Sequence, residues 1–161
     1  MNTENNALLA TACREASTWC CKDGYIFLPR SEYQAILDHL ADKPKALAEF
    51  QSRTLDHGDF LLYDQKTRCQ FLEANDMCGL FAHGVRPTEC FWWPAHVYLA
   101  SDGGLEIRVS ECCSGCRHIG QRSPFLQTVE DQARKIGLPL LHKFRQVHSY
   151  DVNHTVAKKI V

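Results

Sequence analysis

The chain has 161 residues, the size of one ordinary domain with room for a core, and its 45% apolar and 23% charged residues are those of a globular protein. Eighteen Lys and Arg against nineteen Asp and Glu leave a formal charge of −1, which argues against a dedicated nucleic-acid or membrane-surface binder with its basic excess. No apolar run approaches the length of a spanning helix, and the count that stands out is nine cysteines, with eight histidines behind them.

The start, Met1 to Asn6, is polar without a basic cap, and only Ala7-Leu8-Leu9-Ala10 follows before polar residues return. No secretory signal is expected, and the expected location is cytoplasmic. Structural disulfides are rare in a reducing compartment, and an odd number of cysteines leaves one over. Metal ligation is therefore a stronger reading than a disulfide scaffold.

Residues 1–12 read as an arm or short helix, and Tyr25-Ile26-Phe27-Leu28-Pro29 as a strand. Ser31 and Gln34 have the spacing of a capping box, and Tyr33, Ile36, Leu37 and Leu40 share a helical face that ends near Asp42. A second helical piece runs from about Pro44 to Arg53. The middle predicts short strands at Phe60–Tyr63, Arg68–Leu72 and Met77–Phe81. Val97–Ala100 and Leu105–Val109 flank Ser101-Asp102-Gly103-Gly104 as a hairpin, with Leu105, Ile107 and Val109 inward and Glu106 and Arg108 wet. Ser123-Pro124 opens a helix with Phe125, Val129, Ala133 and Ile136 as its stripe, and Gly137 and Pro139 stop it. Residues 140–161 show no clear pattern. The expected fold is α+β, with small antiparallel β-hairpins and flanking helices around cysteine-ligated metal sites. Residues 13–120 form the cysteine-cluster domain and residues 121–161 a C-terminal helical extension packed on it.

The thiols fall in three groups, Cys13/Cys20/Cys21, Cys69/Cys78/Cys90 and Cys112/Cys113/Cys116, each beside turn residues. Zinc and iron–sulfur clusters both take four such soft donors, and spacing alone does not separate them. A four-residue loop Glu73–Asp76 would put Leu72 opposite Met77, with Cys69 and Cys78 on one face as diagonal neighbours about 7–8 Å apart. A loop one residue longer would send them to opposite faces. Pro87 can turn the chain so that Cys90 comes back as a third ligand. Cys113-Ser114-Gly115-Cys116 follows a hairpin, which favours a metal knuckle over a thioredoxin-type redox pair. The neighbours Cys20 and Cys21 rarely reach one ion together, so one ligates while the other packs.

Thiolate sites are steadied by nearby donors and cations, and Lys22, Arg68, Arg86 and Arg117 each lie within four residues of a cysteine. His83, His96 and His118 lie beside the clusters but read as ordinary side chains, and His142, His148 and His154 as surface. Phe91-Trp92-Trp93-Pro94 reads as core packing, or as the lining of a pocket. The chain has no GxGxxG, P-loop, nucleophile elbow or HExxH. Glu89 and Glu111 are the carboxylates placed for acid–base work at a metal.

The string Cys69-x-Phe71-Leu72, Cys78-Gly79-Leu80-Phe81, Arg86-Pro87-x-x-Cys90 and Pro94 resembles the YkgJ-like, or CxxCxxxCC, cysteine-cluster family. Cys20-Cys21, the helix from Ser31 and Cys113-Ser114-Gly115 match that family's pattern in order. The resemblance covers roughly residues 13–118 and is most specific at RPxxC. The first CxxC of the pattern is not intact here, since Ala16 and Ser17 follow Cys13, and Ser114 stands for a proline. The resemblance implies chelation of zinc or iron, an iron–sulfur cluster included, with all nine cysteines as candidate ligands. The expected role is structural or metal-handling, with a metal-dependent redox or protein-modifying enzyme as the alternative. The expected partner is the metal ion, and a protein partner is left open.

Overall fold

A computed structural model describes residues 11, 19–22, 24–110, 123–148 and 154–160. These residues form an α+β protein with two three-stranded antiparallel sheets and five α-helices. They fall in two compact units, one within Ser17–Phe91 and one from Trp92 onward.

The first unit begins with a single 3-10 turn, Trp19–Cys21, and continues through β1 (Tyr25–Pro29), α1 (Arg30–His39), α2 (Pro44–Ser52), β2 (Thr54–Asp56) and β3 (Phe60–Asp64). The boundary between units falls within the short helix α3 (Glu89–Trp92). Strand order is β1-β3-β2, with Phe27 opposite Leu62 and Thr54 opposite Tyr63. The central strand is buried on both faces, which is why Phe60-Leu61-Leu62-Tyr63 is continuously apolar rather than alternating. Helix α1 turns its predicted face inward: Ile36 and Leu40 are buried, and Tyr33 and Leu37 pack against the same core. Its capping box does not form. The helix starts directly after the strand at Arg30 without a side-chain cap, and Gln34 Nε2 donates to Asp38 Oδ1 at 2.8 Å instead of reaching back.

From Gln65 to Thr88 the chain has no helix or strand, only the isolated bridge Leu72–Cys78. The strands expected at Arg68–Leu72 and Met77–Phe81 are turns. The Leu72 N–H returns to the Cys69 carbonyl at 3.1 Å and the Phe81 N–H to that of Cys78 at 3.0 Å, so these groups are satisfied locally rather than in a ladder. The connecting loop runs Glu73–Met77, one residue longer than expected, with Asp76 at φ 60°.

The second unit contains β4 (Ala95–Leu99), β5 (Leu105–Ser110), α4 (Ser123–Ile136), α5 (Leu138–Val147) and β6 (His154–Ile160), with sheet order β4-β5-β6. The predicted hairpin is present, closed by the pair Leu99–Leu105. Its polar face is not wet. Glu106 is buried and accepts from Arg108 Nε at 2.7 Å, and the Arg108 guanidinium lies 4.8 Å over the Tyr98 ring. In α4 the buried stripe is Leu126, Val129, Glu130 and Ala133, with Phe125 and Ile136 at its half-buried margins. Gly137, at φ 110°, turns the chain, and Pro139 lies in the first turn of α5 rather than stopping a helix. Among the described residues no helix is long and apolar enough to cross a membrane.

Candidate metal centre

Four of the nine cysteines, Cys21, Cys69, Cys78 and Cys90, line one cavity of about 30 Å³ in the first unit. About 10–15 Å³ of such space already holds one water, so the cavity has room for a bound ion or something somewhat larger. The remaining lining is largely core: Ile26, Leu28, Ile36, Phe50 and Leu80, with Tyr63, Gln65, Phe71, Arg86 and Pro87. Cys69, Cys78 and Cys90 are themselves packed against the hydrophobic cluster of α1, α2 and the sheet.

Three pieces of backbone bring these sulfurs together. The Cys20–Cys21 segment is tied down by its carbonyls, Cys20 O accepting from Gln65 Nε2 at 2.9 Å and Cys21 O from the Cys69 N–H at 2.7 Å. Gln65, 2% exposed, also donates its N–H to the Gly24 carbonyl, and Gly24 sits at φ 112° with the Gln65 amide oxygen 3.7 Å from where a Cβ would be. The turns at Cys69 and Cys78 supply the second and third sulfurs. The fourth comes from the start of α3, where the Cys90 N–H returns to the Pro87 carbonyl at 3.1 Å, the turn that the proline predicts.

The electrostatics are uneven across the set. A hydrogen bond from the Cys20 thiol lowers Cys21 to about 7; burial opposes this, and Arg86, Lys22 and Arg68 add to it. Burial pushes Cys69 up to about 12, opposed by the Phe71 N–H and, more weakly, by a hydrogen bond from the Tyr63 hydroxyl. Burial likewise raises Cys78, against Arg86 and the N–H groups of Leu80 and Phe81, and it holds Cys90 well above the ordinary thiol value. Backbone N–H groups two and three residues on thus point at the sulfurs of the two turns, as donors that steady a ligating thiolate do. Arg86 is the nearby cation with the firmest mounting: it donates Nη2 to the Cys90 carbonyl at 2.7 Å and lies 4.7 Å over the Phe91 ring and 5.9 Å over Phe81.

Cys20 is half-buried and is not part of the cavity lining. Cys13, Cys112, Cys113 and Cys116 lie outside the described residues, as do Arg117, His118 and Glu111. The offset between Cys69 and Cys78 is not the diagonal pairing that was expected, because Leu72 rather than Phe71 faces Cys78. Both still reach the cavity, since the alternation rule that would separate them applies to extended strands and these are turns. Among the described residues no three His, Cys, Asp or Glu side chains are disposed to hold a metal ion together. The lining supplies sulfur donors of the soft type that zinc and iron take, without bringing them together on one point.

The other nominated groups are elsewhere. Glu89 is 1% exposed and accepts the Phe27 N–H at 2.6 Å, a structural task on β1. His83 is exposed and packs its ring 4.5 Å from that of His39, and buried His96 lies edge-on to Trp93. Neither lines the cavity, nor do Phe91, Trp92 and Trp93. The aromatic walls are instead Phe50, Tyr63 and Phe71, whose mutual ring contacts of 5.3 to 6.0 Å form one cluster. Tyr63 and Gln65 support the sulfurs without any local signal in the sequence, since one sits in an apolar strand and the other in a polar turn. Compared with protein-family models, curated proteins and solved structures, the chain matches nothing, so the reading of this cavity rests on its own residues.

Proposed function

We propose that the Ser17–Phe91 unit chelates one zinc or iron ion through Cys21, Cys69, Cys78 and Cys90, in a structural or metal-handling role. The single observation that carries this reading is the lining of one cavity by four cysteines from three separate stretches of chain. A bound metal at about 2.3 Å from each sulfur would draw these four side chains closer together than they stand here. Four thiolates around a divalent ion carry two surplus negative charges, and Arg86, Arg68 and Lys22 stand where they offset them. A complete four-sulfur shell leaves no open position for substrate, which favours a structural or handling role over metal catalysis.

Protein purified without oxygen tests the reading by elemental analysis and thiol counting. The expected result is at least one equivalent of zinc or iron, with one equivalent lost in both Cys78→Ser and Cys90→Ser. Retention of all bound metal by both variants would overturn it. A brown protein absorbing near ~400 nm identifies iron–sulfur, and a colourless one zinc.

A further inference from the structure

We propose that Cys21 and Cys69 are a reversible disulfide pair, joined when a peroxide oxidises the cavity, so that both sulfurs leave the metal together. The release of metal rests on the reading above, whereas the bond between the sulfurs rests on the backbone that carries them. The Cys69 N–H donates to the Cys21 carbonyl at 2.7 Å. A main-chain bond of this kind holds the two Cα atoms at about 5.5 Å, near the middle of the roughly 4.4–6.8 Å that disulfides span. Both side chains line the same cavity, so they project into one space rather than apart. The main-chain turns of Cys78 and Cys90 close on Phe81 and Pro87 instead, and among the described residues no such turn or loop bond ties either of them to a second cysteine.

The two segments are also fixed against each other beside this bond. Gln65 Nε2 donates to the Cys20 carbonyl at 2.9 Å and the Gln65 N–H to that of Gly24 at 3.0 Å, while the Gln65 carbonyl accepts the Arg68 N–H at 3.1 Å. The backbone therefore holds the pair at bonding separation without having to move. Packing sets the order of reaction, because Cys69 lies against the hydrophobic cluster and Cys21 does not. Peroxide meets Cys21 first. The Cys21 sulfur attacks one peroxide oxygen, forming a sulfenic acid, and the other oxygen leaves as water. The Cys69 sulfur then attacks the Cys21 sulfur, and the sulfenic oxygen leaves as a second water. Each sulfur gives up one electron and the peroxide takes two. The two protons needed come from the thiols or, for sulfurs held by a metal, from solvent. A zinc ion stays divalent and loses two of its four ligands, and a dithiol restores both by exchange.

The experiment treats the full chain, loaded with zinc, with hydrogen peroxide, then blocks the remaining thiols and maps the linked peptides by tandem mass spectrometry. Released zinc is read with the chromogenic chelator 4-(2-pyridylazo)resorcinol. Wild type and Cys20→Ser should both carry the Cys21–Cys69 link, release one equivalent of zinc per link formed, and recover free thiols with dithiothreitol. Cys21→Ser and Cys69→Ser should lack the link. Wild-type protein in which Cys21 pairs with Cys20, in which Cys69 pairs with Cys78 or Cys90, or in which neither sulfur is linked would overturn the inference while leaving the metal reading intact. Full retention of zinc by protein that carries the link would overturn the release step. Wild-type protein that takes up no zinc and contains no iron would overturn the metal reading, and the peptide map of that same protein would still decide the pair. Because the map is read first on the wild type, misfolding of a variant does not affect the result.

Discussion

Between Gln65 and Thr88 the first unit relies on turns and one isolated bridge, with four cysteines around a cavity inside its core. The second unit, by contrast, builds its core from longer strands and two amphipathic helices, and fully buries Val97, Ile107, Ala133, Leu141 and Phe144. Polar groups are handled differently as well. In the second unit Glu130 is answered by Lys158 at 2.5 Å and Arg134 at 2.8 Å, whereas in the first unit burial raises the Cys69, Cys78 and Cys90 thiols, with Arg86 opposing it at Cys78 and Cys90. On the proposed reading, the second core is closed by hydrocarbon alone while the first adds a metal held by its sulfurs.

Metal removal should break this symmetry most strongly. A structural zinc site contributes on the order of 10 kcal/mol to folding. Stripping the metal under reducing conditions should abolish amide-exchange protection in β1, β3 and the Cys69–Cys90 stretch, while β4, β5 and β6 keep theirs. Protection lost equally in both units would contradict the contrast. Reloading at neutral pH should release about four protons, because the four thiols of the stripped unit are almost wholly protonated there and zinc takes them as thiolates. Protons therefore compete with the metal, and affinity should fall as the pH falls.

Matched core truncations sharpen the comparison at the next level. Phe50 and Phe144 are both fully buried, so Phe50→Ala and Phe144→Ala should each cost about 3–5 kcal/mol in urea unfolding. Only Phe50 walls the cavity, so only its truncation should weaken metal binding at equal folded fraction. Equal metal affinity in the two variants would remove Phe50 from the support of the site.

The smallest expected effect belongs to the second unit alone. Hydrogen bonds from Lys158 and Arg134 hold the Glu130 carboxyl below its usual range. A depressed folded-state value stabilises the protein above the unfolded carboxylate pKa and is lost as the pH falls through the folded one. Glu130→Gln should therefore cost up to about 1 kcal/mol at pH ~7 and nothing near pH ~3, with metal content unchanged. A cost that persists in acid would point to packing rather than charge.

The elements with strong local signals were legible without coordinates. The strand at Tyr25–Pro29, the helix face of Tyr33, Ile36, Leu37 and Leu40, the helix after Pro44 and the hairpin around Gly103 all follow from periodicity and turn residues. Pro139 was misleading because proline stops one helix and starts another with equal ease, and β6 was hidden because its pattern has meaning only beside β5. At the candidate site, the cysteines and Arg86 could be named from type and spacing, while Tyr63, Gln65 and Phe50 could not.

By itself the sequence determined which atoms are available: thiols in three groups, cations beside them, and a proline able to turn Cys90 back. Only the tertiary structure decided that Cys21, Cys69, Cys78 and Cys90 share one cavity and that Cys20 stands outside its lining. The reason is geometric. Ligand identity is a property of single residues, but convergence depends on turn registers and on hydrogen bonds between segments more than forty residues apart, such as Gln65 to Cys20.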